Sequence, residues 1–480
     1  MLFTDPLFLF FFLPLFLAGF AVLARVAGGR FRNPLKLFIL VATLIFYTWR
    51  HKPAWWLPFC AAVAFDFLWS RLLVRSTRPR VRRLILTLSL VQNLSLLFLY
   101  KYLAWVLSFV FLQHWPGVDA MRGVWLDPSG LQRFEMPAGI SFYLFESMSY
   151  VIDVYRGVVA PPRNPLDFFS FIAMFPRMIA GPIVRYAQVV HQMAEWTRPR
   201  VRRGLPLFML GFVYKALLAD SFAIFTPYAF GASSPGLVGA WFGVTCYSFQ
   251  LYFDFAGYSL MAIGLGHWLG FHFPTNFANP YAAESIGEFW RRWHISLSTW
   301  LRDYVYIPLG GNRRGERRRD INLMVTMGLG GLWHGANATF FVWGLLHGLY
   351  LIAERKTTAL RARWPAAGRR MLTLLLVLVG WTIFRAADLS EAGRILGALV
   401  GQDGLWGSAS SLLLQRHGFA ALWLLPAAVY ALFLCPRLSI APEDREAWPL
   451  AVELLLSLLF VLAVGVTLTT RLIPFLYFQF

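Results

Sequence analysis

The chain has 480 residues, of which 58% are hydrophobic, 17% aromatic and only 14% charged, with a mean hydropathy of +0.56. Forty-five Phe, 20 Trp and 18 Tyr exceed what a water-soluble globule of this length can hide, which excludes a soluble multidomain enzyme, a disordered chain and a fibrous repeat. The net charge of +20 falls in short Arg-rich patches between apolar runs, the positive-inside pattern of a polytopic membrane protein rather than a nucleic-acid surface.

Residues 7–27 read as an uncleaved first span, because no Lys or Arg precedes the apolar run as a signal peptide requires. Arg30, Arg32 and Lys36 place the next loop inside and the N-terminus outside. A second span ends near Trp49 and a third covers 55–73, before the basic patch Arg75, Arg78, Arg80, Arg82 and Arg83. The stretch 84–112 returns outside, 113–134 is an external loop of mixed charge, and 135–155 runs inward to Arg156 and Arg163. The piece 167–185 holds Pro176, Arg177, Gly181 and Pro182 between two basic flanks, so it reads as re-entrant; such backbone must be packed in protein or line a cavity. Spans follow at 204–228 and 238–265, then a cytosolic stretch over 266–319, then spans at 320–336, 338–354, 371–386, 418–436 and 450–470. The pattern is all-α, with about twelve spans, one re-entrant piece, both termini outside and no internal repeat. Cys60, Cys246 and Cys435 are odd in number and give neither a disulfide framework nor metal spacing.

Against this background a few polar residues point to chemistry. A helix starting near Asp320 carries His334 roughly 20 Å along its axis, inside a core about 30 Å thick, and an ionisable group at that depth is functional by default. Burial without an acid partner favours the neutral imidazole, which can accept a proton; the plainer alternative is a core histidine bonded to a carbonyl or hydroxyl. On a helical wheel, Trp290, Trp293, His294, Leu297, Trp300, Leu301 and Tyr304 share one face of an amphipathic helix. That helix either lies in the interface with Trp at headgroup level or points His294 into a cavity open to the cytosol. Arg313, Arg314 and Arg317 either mark the inside face or bind phosphates of an activated donor. Asp66, Glu146, Asp153 and Asp254 lie in apolar runs and call for buried partners, Arg177 and Lys215 being available. His267 and His272, five apart, do not share a helical face, and no metal site is expected.

The ordered series Met136–Phe142, Ser149–Gly157, Ala180–Tyr186, Tyr252–Ser259, Trp290–Asn312 and Gly330–Gly335 resembles the membrane-bound O-acyltransferase (MBOAT) family, and within it the bacterial branch that O-acetylates alginate. The resemblance covers nearly the whole chain, to Pro474–Phe478. It implies one integral-membrane domain over 1–480 around a central funnel, with N-terminal helices 7–112, a catalytic core 135–354 containing the cytosolic segment 266–319, and C-terminal helices 371–480. It also implies that His334 and His294 are the catalytic pair. Trp333, Trp290, Trp293, Ser298, Arg302, Asp303, Tyr304, Asp254, Arg313 and Arg314 would then surround the substrates. The implied activity moves acetyl from cytosolic acetyl-CoA across the bacterial inner membrane to an exported polysaccharide. No bound cofactor, metal or nucleic acid is implied; the partners are membrane lipid and a periplasmic SGNH (serine hydrolase-like) acetyltransferase. Relatives of the alginate type usually carry Asp where this chain has Leu260, and commonly Ser where it has Ala256; if that Asp helps bind the acceptor or a partner, the acceptor differs from alginate. A D-alanyl transferase for teichoic acid, and a proton-coupled transporter or flippase using Asp254, Lys215 and His334, are the alternatives.

Overall fold

The computed structural model describes residues 1–28, 30–49, 56–106, 137–196, 200–408, 448–470 and 473–476. Every regular element among them is helical. The chain divides into two compact units: Met1–Arg200 with Leu265–Phe273, and Val201–Gly264 with Pro274–Phe480.

The first unit contains α1 (Leu13–Val26), α2 (Asn33–Thr48), α3 (Trp56–Arg75), α4 (Pro79–Leu97), α5 (Ile140–Arg156), α6 (Pro165–Ile172) and α7 (Tyr186–Ala194). Its buried carboxylates Asp66 and Glu146 have polar partners, as an apolar surrounding demands. Asp66 on α3 accepts from Ser89 and Asn93 of α4 (2.7 and 2.9 Å) and from Ser147 of α5 (2.5 Å), so one carboxylate ties three helices together. Glu146 on α5 pairs with Arg177 and accepts the Val184 N–H at 3.0 Å. Residues 167–185 do not form one span. Helix α6 ends at Ile172, a single turn follows at Phe175–Met178, and the rest is irregular, as the re-entrant reading requires. Its freed backbone groups find protein partners: Thr43 donates to the Ala173 carbonyl (2.8 Å) and accepts the Phe175 N–H (3.2 Å).

The second unit contains α8 (Val201–Val213), α9 (Gly236–Trp268, whose last residues group with the first unit), α10 (Ile286–Arg292), α11 (Ile295–Leu301), α12 (Gly315–His334), α13 (Ala338–Lys356), α14 (Ala366–Arg385), α15 (Leu389–Leu399) and α16 (Leu450–Thr469). Helices α8 and α9 approach backbone to backbone: a Cβ on Gly211 would lie 2.4 Å from the Gly257 carbonyl oxygen. The α12–α13 hairpin is as close, since a Cβ on Gly331 would lie 2.2 Å from the Phe340 oxygen and one on Gly344 2.3 Å from the Met327 oxygen.

Six helical stretches among the described residues are long and apolar enough to cross a membrane: Phe8–Val26, Trp56–Arg75, Pro79–Tyr102, Val201–Tyr228, Ala366–Arg385 and Leu450–Thr469. The chain is a multi-pass membrane protein. The other expected spans have different physical characters. Helix α2 is apolar but has 16 residues, α5 is buried along nearly its whole length, and α9 is diluted by Gly, Ser and Tyr. Helix α12 starts five residues before Asp320 and takes Arg317, Arg318 and Arg319 into its first turns, so His334 is its last residue rather than a mid-helix one. The expected span 418–436, the loop 113–134 and Cys435 lie outside the described residues.

Candidate active site

The stretch 290–304 is not one amphipathic helix. Helix α10 is capped by Ser285, whose side chain accepts the Glu288 N–H (3.0 Å), and it stops at Arg292. Trp293 is extended and His294 adopts the left-handed conformation (φ 42°, ψ 56°) before α11 begins at Ile295. His294 and Asn279 are the only non-glycine residues with positive φ among those described. For a side chain other than Gly this costs about 1–2 kcal/mol, and such strain persists only where surrounding contacts fix it. Trp293, Leu297, Trp300, Leu301 and Tyr304 are nevertheless buried, so the wheel identified the inward residues although the helix breaks. These rings pack inside the protein, which overturns the reading of an interfacial helix with Trp at headgroup level.

The break delivers the imidazole of His294 into an aromatic enclosure. Its ring centroid lies 4.6 Å from Phe255, 5.8 Å from Trp333 and 6.4 Å from Phe277. Only 1% of the residue is exposed, and neither ring nitrogen has a hydrogen-bond partner among the described residues. Burial pushes its pKa down to about 3, so the ring is neutral at physiological pH. Trp333 stands between this histidine and the next, its ring 5.1 Å from His334. The His334 imidazole is bounded by Phe384 (5.0 Å), Trp343 (5.3 Å) and Phe340 (6.5 Å). Two buried imidazoles thus flank one indole at the carbonyl end of α12, in aromatic surroundings.

The family model of membrane-bound O-acyltransferases matches residues 35–386. A probable alginate O-acetylase of Pseudomonas putida is 40% identical over all of both chains. A peptidoglycan O-acetyltransferase of Helicobacter pylori is 34% identical, over 84% of this chain and 81% of its own length. A teichoic acid D-alanyltransferase of Bacillus subtilis is 28% identical, over 51% of this chain and 68% of its own. The chain belongs to the membrane-bound O-acyltransferase family.

In this acyltransferase the expected site residues fall into separate groups. Trp290, Trp293, His294, Trp333 and His334 form one aromatic assembly, joined through Trp343 and Trp381: Trp290 meets Trp343 at 5.7 Å, and Trp293 meets Trp381 at 4.9 Å. Ser298 donates to the Trp293 carbonyl at 3.2 Å and so buttresses the break. Arg302 and Asp303 pair with each other (2.6 Å) on a π-turn over Arg302–Tyr306, where Tyr304 packs 5.1 Å from Trp300. Arg313 and Arg314 lie on the exposed turn before α12. Measured along that helix they are about 30 Å from His334. Asp254 is held by Lys215 (2.7 Å) and accepts the Leu476 N–H (2.8 Å), which fastens the closing Pro474–Leu476 segment to α9.

Three features were not read from the sequence. His347 on α13 is fully buried and accepts at Nδ1 from the Trp290 indole N–H (3.3 Å), supporting the aromatic assembly from below. The criterion that singled out His334, an ionisable residue in an apolar run, picks it equally. Asn276 bonds Ile295 and Ser296, just after His294, and Ala278 bonds Arg292 just before it, through contacts that no periodicity reveals. In the first unit, His267 and His272 come within 5.3 Å because the chain turns back at Gly270 (φ +81°), and with His191 and Arg200 they line a cavity of about 260 Å3. No group of three His, Cys, Asp or Glu among the described residues is arranged to hold a metal ion.

Proposed function

We propose that this acyltransferase moves an acetyl group from cytosolic acetyl-CoA across the bacterial inner membrane for O-acetylation of an exported polysaccharide. The observation that carries this reading is the pair of buried imidazoles about Trp333 at the end of α12, in a chain whose full-length relatives include a probable alginate O-acetylase. The donor's phosphates would sit at Arg313 and Arg314, where guanidinium groups on an exposed turn bind phosphate bidentately.

His334 would act as general base. It takes the proton from the attacking hydroxyl as the new C–O bond forms at the acetyl carbonyl and the C–S bond of the thioester breaks; the proton then passes to the departing thiolate. The partial negative charge at the carbonyl end of α12 faces the imidazolium formed in between. His294, neutral and unsolvated, would present a donor or acceptor to the passing thioester without competing for that proton. The accepting hydroxyl would belong to a periplasmic serine hydrolase-like partner or to the polymer itself. Leu260 is buried on α9, at the position where the resemblance to the alginate branch implies Asp, and this would leave the acceptor open to a polymer other than alginate.

Substituting His334 by Ala in a chain that still inserts into the membrane is expected to abolish polymer acetylation, measured as acetate released by mild base. Retained acetylation refutes the assignment. D-alanine rather than acetate on the polymer would point instead to the chemistry of the teichoic acid relatives.

A further inference from the structure

The chain on either side of the strained His294 is bonded by the segment 276–278, whose first residue is a buried asparagine. Asn276 is fully buried. Its carbonyl oxygen accepts the Ile295 N–H (3.0 Å), and its side-chain oxygen accepts both the N–H (3.2 Å) and the hydroxyl (2.9 Å) of Ser296. Its side-chain nitrogen donates to Ser259 on α9 (3.1 Å). Two residues on, Ala278 N–H donates to the Arg292 carbonyl at 2.9 Å, immediately before the break. The segment 276–278 therefore clasps the chain on both sides of Trp293–His294 and anchors that clasp to α9, which also carries Phe255, the ring nearest His294. A left-handed His reverts to ordinary backbone geometry unless such bonds oppose it, and any reversion swings the imidazole away from Trp333.

We infer that Asn276 is a positioning residue for the acyl transfer, acting through His294 by fixing its backbone. This rests on the reading of His294 and His334 as the reaction site. The side chain of Asn276 touches no reacting atom; its effect is on where the His294 ring stands. A displacement of about 1 Å at such a site lowers turnover on the order of 100-fold.

The test is a double-mutant cycle on acetyl transfer by the full chain in membranes: Asn276→Ala, His294→Ala and the double variant, with kcat and KM for acetyl-CoA measured separately. Asn276→Ala is expected to lower kcat about 100-fold with little change in KM, and to add nothing in the His294→Ala background. Ser296→Ala, which removes one bond of the clasp, is expected to give a smaller loss in kcat and keeps the test valid where Asn276→Ala fails to insert. Losses that multiply in the double variant, or a Ser296→Ala variant of wild-type kcat together with an active Asn276→Ala, overturn the inference while leaving the site reading intact. A His294→Ala variant of wild-type rate overturns both, and His334→Ala then shows whether any of the site reading survives.

Discussion

Replacing Lys215 by Met asks whether Asp254 serves the fold or a substrate. Lys215 Nζ lies 2.6 Å from Asp220 and 2.7 Å from Asp254, and the second oxygen of Asp254 takes the Leu476 N–H. Removing the ammonium leaves a buried carboxylate, Asp254, and a half-buried one, Asp220, without their shared cation. Breaking a buried pair in this way costs about 3–5 kcal/mol. Asp254→Asn is milder, because Lys215 keeps Asp220 and the amide oxygen can still accept from Leu476; the loss of one charged hydrogen bond costs about 1.5–3 kcal/mol. The double variant should recover part of the Lys215→Met loss, with a coupling of about 0.5–3 kcal/mol. Thermal unfolding in detergent gives the order of stabilities, and protease cleavage near 474–476 reports release of the closing segment. An Asp254→Asn variant with wild-type melting and closing segment, but a raised KM for donor or acceptor, would refute the structural role and make Asp254 a substrate ligand.

Gly331→Ala and Gly344→Ala each place a Cβ against a backbone oxygen of the facing helix, at 2.2 and 2.3 Å, so each should destabilise by about 1–3 kcal/mol, read by melting, and shift His334 enough to reduce acetylation. The His294 imidazole stays neutral in the folded protein down to about pH 3, whereas the unfolded chain binds a proton below about pH 6.5. Its contribution is therefore full above that pH and falls by about 1.4 kcal/mol per pH unit as pH drops towards 3; His294→Gln should remove this slope in melts between about pH 4 and pH 8. Replacing Arg313 and Arg314 together by Ser should raise KM for acetyl-CoA and weaken its salt dependence with kcat little changed. A fall in kcat at constant KM in initial-rate measurements would reject the phosphate assignment.

The sequence reading succeeded where one residue type in an apolar run decides the matter. Length and hydropathy suffice for α3, α4 and α16, and Pro176 with Pro182 between basic flanks suffices for the broken piece at 167–185. Pairing of Asp254 with Lys215 was also legible, since few cations lie in apolar surroundings. Its other partner was not, because Leu476 N–H lies 222 residues away and carries no side-chain signature. Helix α12 begins at Gly315 rather than near Asp320, because Arg317, Arg318 and Arg319 can lay their apolar stems along a helix and keep their guanidinium groups in water.

His294 shows where such reading stops. A helical wheel assumes an unbroken 100° step, and on that assumption the histidine lies on the same face as Trp290 and Trp300. His294 and Trp300 do turn inward, but through a left-handed residue that splits the helix, and the side chain and carbonyl that hold the two residues after it belong to Asn276, eighteen positions before His294. Local pattern found the imidazole because burial selects residue type. Its orientation is set by hydrogen bonds between distant segments, which leave no period in the chain, and for a base or a donor in a dry site orientation decides the chemistry.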